Sequence, residues 1–231
     1  LLEGLPTLPL RVTVKAEGYS AWEQTLEPLK GGLENPLLVE LSKGGIIEGF
    51  VHDAAGNPVG QAAISGKPSD MDMNGTTPIT ISASDGTFVL TDQKTDAEGQ
   101  FVASKDGYVP TVFRVTPQPG GTTRSDVLLD SGGTLRVRTN INGQPADEFY
   151  ASLEYDDPDK TFINRYDRAS ISNGEQVFSK APAGEVRVNV LAKVNDAYLN
   201  GVERATIVSG QETTVEVNID SGSCKLEGRL T

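Results

Sequence analysis

The residues able to do chemistry in this chain are mainly carboxylates: 32 acidic residues stand against 20 basic ones, for a net charge of −12. Hard cations take oxygen ligands, and two acidic stretches offer them. In "SDMDMNG", residues 69–75, Asp70, Asp72 and Asn74 have the spacing that opens a calcium loop, although Ile81 stands where the closing glutamate would be. In "YDDPDK", residues 155–160, Asp156, Asp157 and Asp159 cluster in an expected loop. Calcium is therefore the one cofactor considered, with a solvated acidic turn as the alternative. A hydrolytic triad would need a base, and His52, the single histidine, precedes Asp53 on a strand entering a turn, with no Gly-x-Ser-x-Gly elbow in the chain. One histidine and one cysteine, Cys224, cannot assemble a zinc site of the usual ligands, and a lone cysteine excludes an internal disulfide. Among so many acids some carboxylate pair is inevitable, so pairing alone gives no sign of glycoside hydrolysis. Trp22, Tyr150, Tyr155 and Tyr166 could stack on sugar rings, against the commoner fate of filling a core. The negative charge repels phosphate backbones and anionic lipid headgroups, so nucleic acid is not an expected partner. Nothing approaches the roughly 18 uninterrupted apolar residues of a membrane span, so membrane insertion is not expected either.

Whatever these groups do, short strands must position them. The chain holds 25 glycines and 13 prolines, and its Val, Ile and Thr fall in short alternating runs with almost no helical periodicity. It also repeats itself. Gly18-Tyr19 recurs as Gly107-Tyr108, 89 residues on, and Gly44-Gly45 recurs as Gly132-Gly133, 88 residues on; "SGS" at 221–223 marks a third register. After each Gly pair comes an alternating run, "IIEGFVHD" or "TLRVRTN", then a turn, "AAGNPV" or "INGQPA", carrying Gly and Pro. "DGTFVLTD" and "NGEQVFSK" follow near mid-repeat as hairpin signals. Each unit closes with "NPLLVELSKGG", "RSDVLLDSGG" or "TTVEVNIDSGS", whose period of two places one face inward.

About seven strands in roughly 90 residues predict a β-sandwich, so the fold class expected is all-β, built from tandem Ig-like sandwich modules. The Gly-Tyr pair reads as a corner, with the glycine bending and the tyrosine burying its ring. Residues 1–43 match the C-terminal half of a unit, 44–132 a complete unit, 133–221 a complete but more divergent one, and 222–231 the first strand of another. A half sandwich leaves an open edge, so the chain is expected either to belong to a longer one or to be completed by another copy. The long stretch "SGKPSDMDMNGTTP", residues 65–78, is the expected contact loop and carries an Asn-Gly-Thr sequon.

"GFVHDAAGNPVGQAAI", "SDGTFVL" and "FVASKDGYVP" together resemble the carboxypeptidase regulatory-like domain, most fully over the middle unit. The unit after it keeps "GGTLRVRTNINGQPA" and "NGEQVF" but has "NDAYLNGV" in place of Gly-Tyr. The resemblance implies a transthyretin-like β-sandwich used as an accessory or repeated extracellular module with no active site. It makes Gly49, Asp53, Gly56, Pro58, Asp85, Gly86, Phe88, Gly107 and Tyr108 turn and core positions. The function expected is a non-enzymatic stalk, spacer or filament-subunit segment of a secreted or cell-surface protein. Its partners would be other copies of the chain or neighbouring repeats. The alternatives are a carbohydrate- or protein-binding module, or an accessory region of an exported hydrolase.

Overall fold

The computed structural model describes residues 4–32, 34–67, 78–164, 170–172, 175–194, 197–220 and 222, and nearly all of its regular structure is strand. The chain divides into two compact units, Leu1–Ser104 with Val112–Leu128, and Lys105–Thr111 with Leu129–Thr231.

The first unit opens with a hairpin, β1 (Leu10–Val14) and β2 (Trp22–Leu26), registered from Leu10↔Leu26 to Val14↔Trp22. Seven strands follow: β3 (Gly45–His52), β4 (Ala63–Gly66), β5 (Thr80–Ile81), β6 (Thr87–Gln93), β7 (Gly99–Ser104), β8 (Thr111–Val115) and β9 (Thr122–Leu128). They make two sheets. One has the order β6-β3-β9, the other β5-β4-β7-β8. Alternation in β3 buries Ile47 and Val51 and leaves Ile46 and Glu48 outside, which is the period-two pattern of a strand with one dry face. The dry faces of the two sheets meet in the middle. Phe88 of β6 meets Phe113 of β8 edge-on at 6.0 Å, and Phe113 stacks on Phe101 of β7 at 5.4 Å.

The second unit contains β10 (Gly133–Ile141), β11 (Gln144–Pro145), β12 (Phe149–Glu154), a short helix α1 (Pro158–Asn164), β13 (Ser170–Ser172), β14 (Glu175–Ala181), β15 (Gly184–Val194), β16 (Ala197–Ile207) and β17 (Glu212–Ile219). One sheet runs β11-β10-β14-β13 with β17 on the other side of β10; the facing sheet is β12-β15-β16. Leu135, Val137, Phe149, Leu153, Val188 and Val217 belong to the continuous core between them.

Both units close alike. The last strand lies parallel to the first, β9 beside β3 and β17 beside β10. The expected all-β sandwich architecture is therefore the one observed.

Three expectations are corrected. The Gly-Tyr corners do bend at glycine, with φ of 79° at Gly18 and 92° at Gly107, but the tyrosine rings are not buried: Tyr19 is exposed and Tyr108 half-buried. The tyrosine N–H groups close the turns on Ala16 and Lys105, and the inward position falls one residue later, on Ser20 and Val109. Secondly, "YDDPDK" is not all loop, because α1 starts in it; proline in the first helical position needs no N–H there, and Asp157 accepts the Asp159 N–H at 2.9 Å as an N-cap. Thirdly, "NPLLVELSKGG", residues 35–45, read as closing a unit in the manner of a strand, forms none before β3 begins at Gly45. The strands that do close a unit, β9 and β17, pair with its first strand, and no first strand lies beside 34–41 among the described residues.

Candidate functional site

Asp70, Asp72, Asn74, Tyr166 and Cys224, with most of the 65–78 stretch, lie outside the described residues. Of the second acidic set, Asp157 is occupied in capping α1: its carbonyl also accepts the Thr161 N–H at 3.1 Å. Among the described residues no group of three or more His, Cys, Asp or Glu side chains is arranged to hold a metal ion.

The remaining aromatic candidates separate. Tyr155 is 5 % exposed and belongs to the second core, donating its hydroxyl to the Pro182 carbonyl at 3.0 Å, so it offers no face to a sugar. Trp22 is half-buried on β2 and lines a shallow hollow of about 140 Å³ with Ser20, Glu40 and Lys94. Tyr150 is 60 % exposed on the outer face of β12. The register carries that face across the sheet: Tyr150 opposes Leu191, which opposes Asn200; Ser152 opposes Asn189, then Val202; Glu154 opposes Arg187, then Arg204. Tyr198, 64 % exposed, lies opposite Lys193 on the same face.

One outer face thus has two ends of different chemistry. Tyr150, Leu191, Tyr198 and Val202 are exposed toward one end. Toward the other, Glu154, Arg187 and Arg204 border a groove of about 270 Å³, where Glu154 accepts from Arg187 at 3.3 Å and from Asn189 at 3.2 Å. Such a face can stack on a flat apolar surface and hydrogen-bond beside it. Reading "NDAYLNGV" as a lost corner hides Tyr198 in the sequence. Parity marks it, since Tyr198, Asn200 and Val202 sit two apart on one long strand.

The other polar groups hold the fold. His52 Nδ1 pairs with the Asp53 carbonyl at 2.9 Å while its ring stacks on Phe50 at 5.8 Å. Asp53 closes its turn by accepting from the N–H of Ala55 and Asn57 and from the Asn57 side chain at 2.9, 2.8 and 3.0 Å. Asp85 does the same with the hydroxyl and N–H of Thr87 at 2.7 and 3.1 Å.

These bonds set a pH dependence. The Asn57 amide holds the Asp53 carboxyl below its ordinary range, the Thr87 hydroxyl does so for Asp85, and Arg136, seconded by Arg138, does so for Glu175. A carboxyl whose folded pKa lies below its unfolded one adds stability above the unfolded value, and that contribution is lost as pH falls through the folded one. The thermal midpoint is therefore expected to hold nearly level from pH 7 to about 5 and to fall below about pH 4. Asp53→Ala with Asp85→Ala should flatten the acid limb measured by circular dichroism. A wild-type midpoint unmoved by acid would contradict the assignment of these carboxylates as turn-closing anions.

No family model and no curated protein matches the chain. Among solved structures it is similar to GBS52, the minor pilin of the gram-positive pathogen Streptococcus agalactiae, with 12 % identity and a TM-score of 0.42 over 80 % of this chain and 100 % of that one. A streptococcal ancillary pilin is similar at 10 % identity and a TM-score of 0.36, over 94 % of this chain and 77 % of the other. BcpA, the major pilin subunit of Bacillus cereus, is similar at 11 % identity and a TM-score of 0.29, over 77 % of this chain and 69 % of the other. At such identities the roles of individual residues follow from this chain's own geometry. No helix among the described residues is long and apolar enough to cross a membrane.

Proposed function

We propose that this chain is a non-enzymatic structural module, a stalk, spacer or filament-subunit segment of a secreted or cell-surface protein built from carboxypeptidase regulatory-like repeats. In this reading the modules span 44–132 and 133–221, residues 1–43 are the second half of a module, and 222–231 begin another. The observation that carries it is the shared closure: two sandwiches each place their last strand parallel to their first, and only residues 129–132 separate β9 from β10.

The partner in this reading is a neighbouring repeat, or another copy of the chain, that supplies a first strand to residues 34–41. Counted back from Gly44, Gly132 and Gly222, the inward positions of the three closing segments are Leu37, Val39 and Leu41; Ser125, Val127 and Leu129; and Val215, Val217 and Ile219. Where a first strand is present, the apolar ones are buried, Val127 and Val217 to 1 % exposure. Along 34–41, Leu37 is exposed and Val39 and Leu41 are half-buried. An alternating apolar segment with no strand beside it among the described residues invites β-addition.

Sedimentation velocity over a concentration series is expected to show growth beyond the monomer, and Leu37→Asp with Val39→Asp to remove it. A monomer at every concentration would end the assembly reading for this chain. It would leave the outer face around Tyr150, Leu191 and Tyr198, which favours the second reading, a carbohydrate- or protein-binding module.

A further inference from the structure

We propose that the two parallel ladders are shear clamps, which make each sandwich resistant to tension applied along the chain. The polypeptide enters each sandwich at the N-terminal end of its first strand and leaves at the C-terminal end of its last. Because those strands are parallel neighbours, the two points of load lie at opposite ends of one ladder. Tension then slides the strands past each other, and every rung between them must yield together. In β3 and β9 the rungs run from Ile46↔Thr122 to His52↔Leu128; in β10 and β17 they run from Thr134↔Glu212 to Ile141↔Ile219.

The ladders are also reinforced and kept dry on one side. Ile47, Val51 and Val127 are fully buried against the first, as are Leu135, Val137 and Val217 against the second, so water has no access from that face to replace a strained bond. At the end where the chain enters the first, Ile46 donates to the Gly121 carbonyl and Gly120 to that of Gly44, both at 2.9 Å. At the entry end of the second, Thr134 donates to the Gln211 carbonyl at 2.9 Å, and Arg136 reaches across to Glu212 at 3.1 Å. Near its far end the Asn140 amide bonds Asn218 at 3.0 Å, and Asn142 donates to the Ile219 carbonyl at 3.0 Å.

The chain contains its own contrast. In the β1–β2 hairpin the entering and leaving ends, Leu10 and Leu26, form one rung, so the same tension opens that ladder a rung at a time. Its yield requires breaking one rung's bonds at each step, whereas a clamp requires several at once. Forced unfolding is governed by the barrier to that first concerted break, not by equilibrium stability.

The use of such clamps in the organism rests on the structural-module reading above, but the test does not. The full chain, carrying Cys224→Ser, is held by its two ends and pulled molecule by molecule. Two high-force events are expected, each releasing about 300 Å of chain for residues 45–128 or 133–219 at ~3.6 Å per residue. The hairpin should yield first and at much lower force. Handles are then moved to Lys43→Cys with Gln118→Cys, and separately to Ser131→Cys with Gln211→Cys. Each pair brackets the first rung of one ladder, so that ladder is opened from one end.

In these geometries the unfolding force should fall several-fold. Equal force in end-to-end and bracketed pulling would overturn the clamp. So would end-to-end events no stronger than the hairpin's. The two bracketed pairs are independent, so loss of folding in one variant leaves the other to decide. Self-association by sedimentation tests the module reading separately, and neither result fixes the other.

Discussion

Gly49→Val is expected to prevent the first sandwich from folding, and Gly49→Ala to weaken it by about 1–3 kcal/mol or more, the usual range for an overpacked core. Gly49 is the mid-strand residue of β3, opposite Phe88 on one side and Ser125 on the other. It faces inward, and the Phe88 ring fills the space its side chain would take. A Cβ there would stand 2.2 Å from Phe88 Cζ and 2.3 Å from the Ser125 carbonyl oxygen. The ring cannot yield freely, because Phe88 is buried and leans on Phe113, which in turn stacks on Phe101. The carbonyl cannot yield either, being backbone of the strand that closes the unit. Urea unfolding followed through Trp22, the single tryptophan, reports on the first unit. A Gly49→Ala variant within about 0.5 kcal/mol of wild type would mean the strand can shift to make room, against the close packing expected of a protein interior. Gly56 is a useful comparison: with φ of 82° and open space at its Cβ, its substitution is costly through backbone strain alone.

The same position shows what sequence can and cannot convey. The family resemblance marks Gly49 as a motif residue, and alternation places it on the inner face with Ile47 and Val51. That Phe88 is the side chain seated above it depends on strand pairing across the sheet, which no local pattern fixes. The turns are legible for the opposite reason: Asp53, Gly56, Asp85 and Gly86 act within a few residues of themselves, so spacing alone predicts their work. Residues 34–41 and 122–128 have similar alternation, and only the second set is a strand. Strand formation needs a partner, and a partner is not a property of the segment. For the candidate site the loss is larger. Tyr150 and Tyr155 are five residues apart, one on the outer face and one in the core, because the alternation of β12 continues one residue past its end at Glu154. The outer face joining Tyr150 to Tyr198 exists only through the register of β12, β15 and β16.

Gln176 gives the second large effect, and it concerns how the second sandwich is held shut. It lies on β14 with 2 % exposure, at an inward position where an apolar residue would be expected. Its amide oxygen accepts the Ala151 N–H, and its amide nitrogen donates to the Ala151 carbonyl at 3.0 Å. Ala151 is on β12, an edge strand of the facing sheet, and is itself buried. One primary amide thus serves as a single residue of an extra strand, satisfying a buried backbone N–H and C=O that would otherwise face the core unpaired. Gln176→Leu keeps the volume and removes both bonds. At about 1–3 kcal/mol for each of the two groups left unsatisfied, the loss should be roughly 2–6 kcal/mol in urea unfolding of the second unit. Gln176→Glu separates the two bonds. Its carboxylate can accept from the Ala151 N–H but has nothing to donate to the carbonyl, so it should be the weaker variant at neutral pH. Protonation restores a donor, so its deficit relative to wild type should shrink as pH falls into the carboxylate range. A deficit of Gln176→Glu that stays constant with pH, together with a Gln176→Leu variant as stable as wild type, would show that water or a backbone shift satisfies Ala151 instead.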